Sequence, residues 1–252
     1  MSDQLRASTE AGVLTLLLNR PDKRNALNHD MIEGLLGELE DAEIDAQVRV
    51  VAVRGAGKDF CAGADLGELL DSADRSADEN AASAARLGEV FRRMRALPKP
   101  VVAVVHGRAL AGGCGLASAC DLIVARADAQ FGYPEVSRGF VPAMVMTMLR
   151  RATSEAVAFD LVATGRVLTA QEAAAVGLVA RAYGAEEFED RAADFLTSLV
   201  ATSASALAMI KRQLYELDGR GFDEGIRLGA SVNALARSTP DFKSAVAAFL
   251  RR

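Results

Sequence analysis

The order of apolar and polar positions divides the chain into a first part in which strand-like and helix-like patterns alternate and a last part that is helical. Residues 5–8 and 13–18 flank Thr9-Glu10-Ala11-Gly12 and read as a β-hairpin. After the polar loop Arg20-Pro21-Asp22-Lys23-Arg24-Asn25, Met31, Leu35, Leu36 and Leu39 recur at helical spacing and predict a helix over 30–46. Residues 48–53 form a short apolar strand that ends at Gly55-Ala56-Gly57. Residues 71–85 are mainly Asp, Ser, Ala, Glu and Asn without an apolar stripe, which predicts a mobile segment serving as a lid, a pocket wall or a plain solvated loop. A helix over 87–97 runs into Pro98-Lys99-Pro100, and the β-branched run at 101–105 is typical of a strand buried on both faces. A small-residue helix begins at Gly112, and 121–125 reads as another strand. From Pro142 onward the pattern is helical, with Thr169-Ala170-Gln171-Glu172 as a capping box and helices over 185–200, 203–217, 222–236 and 241–250.

This order implies an α/β core with a helical C-terminal region, divided here as 1–190 and 191–252. At 252 residues, half hydrophobic and a quarter charged, the chain can bury a sizeable core without disulfides or a metal. A net charge of -5 with no basic stripe predicts no nucleic-acid partner. No apolar stretch is long enough to span a bilayer, so no membrane partner is expected. Cys61, Cys114 and Cys120 match no zinc spacing. With Cys114 and Cys120 read as buried free thiols and no secretory pattern at the start, the expected compartment is the cytoplasm.

Three segments can carry chemistry. Phe60-Cys61-Ala62-Gly63-Ala64-Asp65-Leu66 follows a strand; its small residues let backbone approach a ligand, and Asp65 can cap the next helix. His106 to Leu116 leads a buried strand through Ala111-Gly112-Gly113 into a helix, whose free N-terminal amides can bind an anion or an oxyanion; close packing of small residues is the alternative. The third is Phe131-Gly132-Tyr133-Pro134-Glu135. A carboxylate in apolar surroundings has a raised pKa suited to proton transfer, whereas an ion pair with Arg138 would make Glu135 structural.

Taken together and in this order, the Asn-Arg-Pro-x-x-x-Asn-Ala-Leu loop, the Ala-Gly-Ala-Asp-Leu turn, the glycine-led helix and the Pro-Glu pair resemble the crotonase (enoyl-CoA hydratase/isomerase) family over nearly the whole chain. The resemblance implies a spiral of ββα units with a helical C-terminal trimerisation region, a homotrimer or hexamer, and an acyl-CoA thioester as substrate. Coenzyme A is part of that substrate, and no separate cofactor or metal is implied. It assigns the thioester oxygen to the backbone amides of Ala64 and Gly112 and proton transfer to Glu135. It places the adenine-ribose end near Lys23, Arg24, Ala26 and Leu27 and along Ala62, Asp65 and Leu66.

The sequence also departs from the family pattern. Many hydratases carry a second catalytic glutamate, which belongs at Gly115 here; a single glutamate resembles the family's isomerases. Gly139-Phe140-Val141-Pro142-Ala143 resembles relatives that hydrate branched or glutaconyl-type substrates without that glutamate. Where relatives continue with a basic, aromatic tail, Arg251, Arg252 or Lys243 is expected to meet the CoA phosphate. The expectation is an enoyl-CoA hydratase, with a Δ3,Δ2-enoyl-CoA isomerase or another acyl-CoA lyase of the family as alternatives. A serine or cysteine hydrolase is disfavoured because His29 and His106 lie in no nucleophile motif.

Overall fold

The computed structural model describes residues 3–251. Strand β1 (Leu5–Glu10) and β2 (Val13–Leu18) form the hairpin, turning at Ala11-Gly12 with both residues at positive φ. Asn28 caps helix α1 (His29–Ile44), its side chain accepting from the Met31 amide at 3.2 Å. Strand β3 (Val50–Gly55) pairs parallel with β2. Asp65 caps the short α2 (Leu66–Asp71), and α3 (Ala77–Ala96) follows.

Residues 71–85 are thus ordered helix for most of their length, which corrects the expected mobile loop. Ser76 and Glu79 form a reciprocal capping box at the start of α3. An alanine-rich first half extends the helix by propensity although it buries no residue before Leu87.

Strands β4 (Val101–Val105), β6 (Leu122–Arg126) and β9 (Arg181–Tyr183) complete a six-stranded sheet of order β1-β2-β3-β4-β6-β9, parallel after the hairpin. β4 is buried throughout: Val101, Ala103 and Val105 face the main core, and Val102 and Val104 face a second core on the other side. That period of two explains the uninterrupted apolar run. The second core is closed by α8 (Phe188–Val200) through Phe188, Ala192 and Leu196. The expected boundary at 190/191 falls inside this helix, which packs on the core.

A second layer runs beside the sheet. Strands β5 (Arg108–Leu110), β7 (Gln130–Gly132) and β8 (Val167–Thr169) pair in that order, and isolated bridges Cys61↔Ala109 and Leu27↔Ala64 extend the layer. Each turn of the chain crosses the main sheet, then the second layer, then a helix. Three-residue β8 and β9 lie in the stretch expected to be wholly helical; strands this short carry no readable periodicity.

The remaining helices are α4 (Gly112–Ala119), α5 (Val145–Ala152), α6 (Glu155–Thr164), α7 (Ala170–Ala175), α9 (Ala204–Glu216), α10 (Phe222–Ser238) and α11 (Pro240–Phe249). Thr169 caps α7 through the expected box with Glu172. α10 and α11 bury no residue, and α9 buries only Lys211. The Lys211 ammonium donates to Met94 O at 2.7 Å and Lys99 O at 2.9 Å and pairs with Asp121 at 2.7 Å, fastening α9 to the core. Tyr215 donates to the same carboxylate at 2.5 Å. No single helix among the described residues is long and apolar enough to cross a membrane.

Candidate active site

The three segments singled out by sequence occupy one station in successive turns of the chain. Ala64 follows the Cys61 bridge, Gly112 follows β5, and Glu135 follows β7, each where the second layer gives way to a helix. The fold thereby collects residues that are far apart in the sequence.

The first half of the site is backbone. The Cβ position on Gly112 lies 3.6 Å from the Ala64 nitrogen, so the two amides are neighbours. Neither donates to a protein acceptor among the described residues. Gly112 opens α4, where amides have no helical partner. Gly63 has φ +105°, and a Cβ there would stand 2.8 Å from the Ala111 Cβ and 3.2 Å from the Gly112 nitrogen, so any side chain would separate the pair.

Ala111 sits at φ 52°, ψ -130°, a region L-residues avoid at a cost of order 1–3 kcal/mol. It is held there from both sides: its amide donates to Gly132 O at 2.8 Å and its carbonyl accepts from Gly115 N at 3.0 Å. The sequence gives no sign of this strain, because the residue is not glycine.

The second half is one side chain. Glu135 lies in a short 3-10 helix, Pro134–Arg138, that starts on Pro134 and ends on Gly139 in the left-handed conformation. The residue is 8% exposed, and its Oε2 is buried without a hydrogen-bond partner. Burial raises its pKa above the ordinary carboxylate range, against a lowering by its own backbone and a smaller one by Arg138. Arg138 makes no ion pair with it and donates instead to Ser137 Oγ at 3.4 Å. The structure thus removes the Arg-paired alternative. Just upstream, the buried Tyr133 hydroxyl meets Ser118 Oγ of α4 at 3.0 Å, tying the Glu135 segment to the helix that presents Gly112.

Gly115 stands where many hydratases carry their second glutamate. A Cβ there would fall 2.1 Å from Val145 Cγ1 and 3.7 Å from Phe91 Cζ. The space a side chain at 115 would use is filled by α5, so its α-carbon does not face open room.

The loop expected to hold the nucleotide end is joined to the first half. Ala62 N donates to Arg24 O at 3.0 Å, and Leu27 N donates to Gly63 O at 2.8 Å, so 24–27 and 62–65 form one surface. Lys23, Arg24 and Leu66 are exposed there, Ala26, Ala62 and Asp65 are partly exposed, and Leu27 is buried. Arg24 and Asn25 both take the left-handed conformation, at φ 52° and 55°. Buried Asn25 donates to Ala56 O at 2.8 Å and Asp59 O at 2.7 Å. Asp59 in turn accepts a two-pronged contact from Arg108 at 2.8 and 2.9 Å. Composition and periodicity missed these braces; a polar residue in a left-handed loop was the available signal for Asn25. Lys243 and Arg251 lie on or just beyond the exposed α11, and Arg252 lies outside the described residues.

Cys61, Cys114 and Cys120 are free and buried, and burial pushes the Cys61 and Cys114 thiols up to about 12. Burial disfavours the thiolate that a nucleophilic role would need. His106 contacts Gly57 O at 2.9 Å, as a satisfied turn residue would. Among the described residues no group of His, Cys, Asp and Glu could hold a metal ion.

A buried carboxylate oxygen without a partner and two free backbone amides thus stand at the same station in successive turns of the chain, an arrangement able to hold a carbonyl oxygen and to move a proton. The sequence pattern of the enoyl-CoA hydratase/isomerase family matches residues 8–252, and the chain belongs to this family, the crotonases, as an acyl-CoA enzyme. A putative enoyl-CoA hydratase of Thermus thermophilus is 41% identical over 240 residues, covering 95% of each chain. The 2,3-dehydroadipyl-CoA hydratase of Escherichia coli is 33% identical over 250 residues, covering 99% of this chain and 96% of its own. The crystal structure of an enoyl-CoA hydratase from Mycobacterium smegmatis superposes with a TM-score of 0.95 at 32% identity, covering 99% of this chain and 97% of that one.

Proposed function

We propose that the protein adds water across the 2,3-double bond of an enoyl-CoA thioester. The observation that carries this reading is the buried Glu135 carboxylate, whose Oε2 has no partner, in a site that also offers the unbonded Ala64 and Gly112 amides. The two amides accept the thioester oxygen and stabilise the negative charge that grows on it. Glu135 takes one proton from water as the hydroxyl bonds to C3, and the electron pair of the double bond moves through C2 to the oxygen as an enolate. The enolate then collapses and takes that proton from Glu135 at C2. One carboxylate completes the addition, and its raised pKa suits a group that must both accept and return a proton near neutrality.

Val145 against Gly115 favours a second reading. With no second carboxylate to hold water, Glu135 can carry a proton between C2 and C4 of a 3-enoyl-CoA. The names of the similar proteins support hydration. The same surface at Lys23, Arg24, Ala26, Leu27, Ala62, Asp65 and Leu66 would take the nucleotide end of coenzyme A.

Incubation with a panel of 2-enoyl and 3-enoyl thioesters, read by mass spectrometry, tests the choice. Hydration yields a 3-hydroxyacyl product heavier by one water. Conversion of the 3-enoyl ester at constant mass, with the 2-enoyl ester inert, overturns hydration in favour of isomerisation. Inertness toward both overturns both readings.

Assembly belongs to this reading. Ile210, Leu214, Phe222, Ile226 and Phe249 are each 60% exposed or more on α9 to α11, an apolar surface that a homotrimer or hexamer would cover. Light scattering should give a multiple of three subunits, and a monodisperse monomer contradicts it.

A further inference from the structure

Ala64 carries one of the two free amides, and its methyl group does nothing to aim it. Its neighbours do. Leu27 N donates to Gly63 O and Asp65 N donates to Leu27 O, both at 2.8 Å, so Ala64 is straddled by one rung of parallel pairing. Asp65 then closes on Arg20, Nη2 to Oδ2, at 2.9 Å, with the two side chains 15% and 20% exposed. The other oxygen of Asp65 accepts from Gly67 N at 2.9 Å. The second arm of Arg20 donates to Ala26 O at 2.7 Å, and its own amide donates to Asn25 Oδ1 at 2.9 Å. One guanidinium therefore grips the residue after the oxyanion donor and the loop expected to carry the nucleotide, at the same time.

We propose that Arg20 is a positioning residue for the oxyanion hole, fixing the Ala64 amide by tying Asp65 to Ala26 and coupling its direction to the 20–27 loop. The inference rests on the oxyanion-hole reading above. A planar fork can serve two acceptors on separate segments; an ammonium is a point charge that satisfies the pair less well. Binding energy gained at the remote nucleotide end can then hold the amide where charge develops, which raises turnover rather than affinity. Both arms of Arg20 are already committed, so it acts through Ala64 and not by touching the thioester.

The test uses the full-length protein and an aryl-conjugated enoyl-CoA, whose absorption moves to the red when its thioester oxygen is polarised. This readout needs no turnover. Free coenzyme A affinity, melting temperature, kcat and KM are measured alongside. Arg20→Gln is expected to lose most of the red shift and about 10- to 100-fold in kcat, the scale of a small misplacement of a reacting group. Free coenzyme A should still bind within about twofold, marking the effect as one on the reacting end. Arg20→Lys should recover part of the red shift. If Arg20→Gln does not fold, Asp65→Asn keeps the shape and removes the charge, and it carries the same expectation. A folded variant with wild-type red shift and kcat overturns the proposal alone. So does a loss of kcat matched by equal loss of coenzyme A affinity, which marks a merely structural ion pair. A wild-type protein that produces no red shift overturns the oxyanion-hole reading, and this proposal with it.

Discussion

The two halves of the site are built on opposite terms. Around Ala64 and Gly112 the working atoms belong to the backbone, and nearly everything beside them is bonded: Leu27 to both flanks of Ala64, Asp65 to Arg20, Ala111 to Gly132 and Gly115. At Glu135 the working atoms belong to one side chain, and its inner oxygen is bonded to nothing. In the proposed reaction the first half holds a fixed direction for charge that arrives with the substrate. The second would have to change its own charge, and a partner would hold it in one state. The backbone half should therefore tolerate changes of side-chain chemistry and fail on changes of geometry, with the reverse at Glu135.

The largest expected effect is at Glu135. Glu135→Gln keeps the shape and removes the proton carrier, and turnover should fall by about 100-fold or more in steady-state assays. Stability should move the other way. Burial raises the folded pKa, so the group's contribution is fully present below the unfolded carboxylate pKa of about 4.3 and is lost as pH rises through the folded value. Gln has no such loss. Urea melts from about pH 5 to pH 8 should show the variant gaining on wild type as pH rises. A variant with near-normal turnover would make Glu135 structural and erase the contrast.

Ala64→Pro probes the other half. It deletes an amide that donates to no protein acceptor, so no fold-holding bond is lost, yet about 3 kcal/mol of transition-state stabilisation should go with it. Circular dichroism checks that the turn survives; full activity in a folded variant rules Ala64 out as a donor. Gly115→Glu should be smaller in activity and plainer in stability. Its Cβ meets Val145 Cγ1, and overpacking of this kind costs about 1–3 kcal/mol in denaturant melts, with no hydration gained. Adding Val145→Ala should return part of that stability. Increased hydration in a stable Gly115→Glu single variant would show that α5 yields. The smallest effect is at Thr169→Ala, which removes a cap outside the site and should cost about 1 kcal/mol of stability with kcat unchanged.

Much of the fold was legible because its signals are local. The β4 run, the hairpin turn, the caps at Asp65 and Thr169, and the apolar stripe of α1 each declare themselves within a few residues. Residues 71–85 were misread because absence of a stripe speaks only to burial, and the Ser76-to-Glu79 box with alanine propensity decides helix without it. The positions of the three site segments were legible from glycines, Pro-Glu and their order. Their shared station was not, since it depends on bridges between segments as distant as Cys61 and Ala109. The same holds for Val145 against Gly115 and for Arg20 against Asp65, contacts between residues that carry no mutual mark in the sequence.

The Lys211 pin also bears on the order in which the chain can mature during synthesis. Its acceptors lie at Met94, Lys99 and Asp121, at the end of α3, just before β4 and just before β6. Pairing of β4 with β6 brings Asp121 beside the other two, so the full set of acceptors exists only with that pairing in place. Until that moment α9 lacks this anchor, and the apolar faces of α9 to α11 have only one another to pack against. Contacts spanning 112 and 117 residues close long loops, the kind of contact that slows folding. The interval before α9 docks is when a chain of this kind would most need a chaperone.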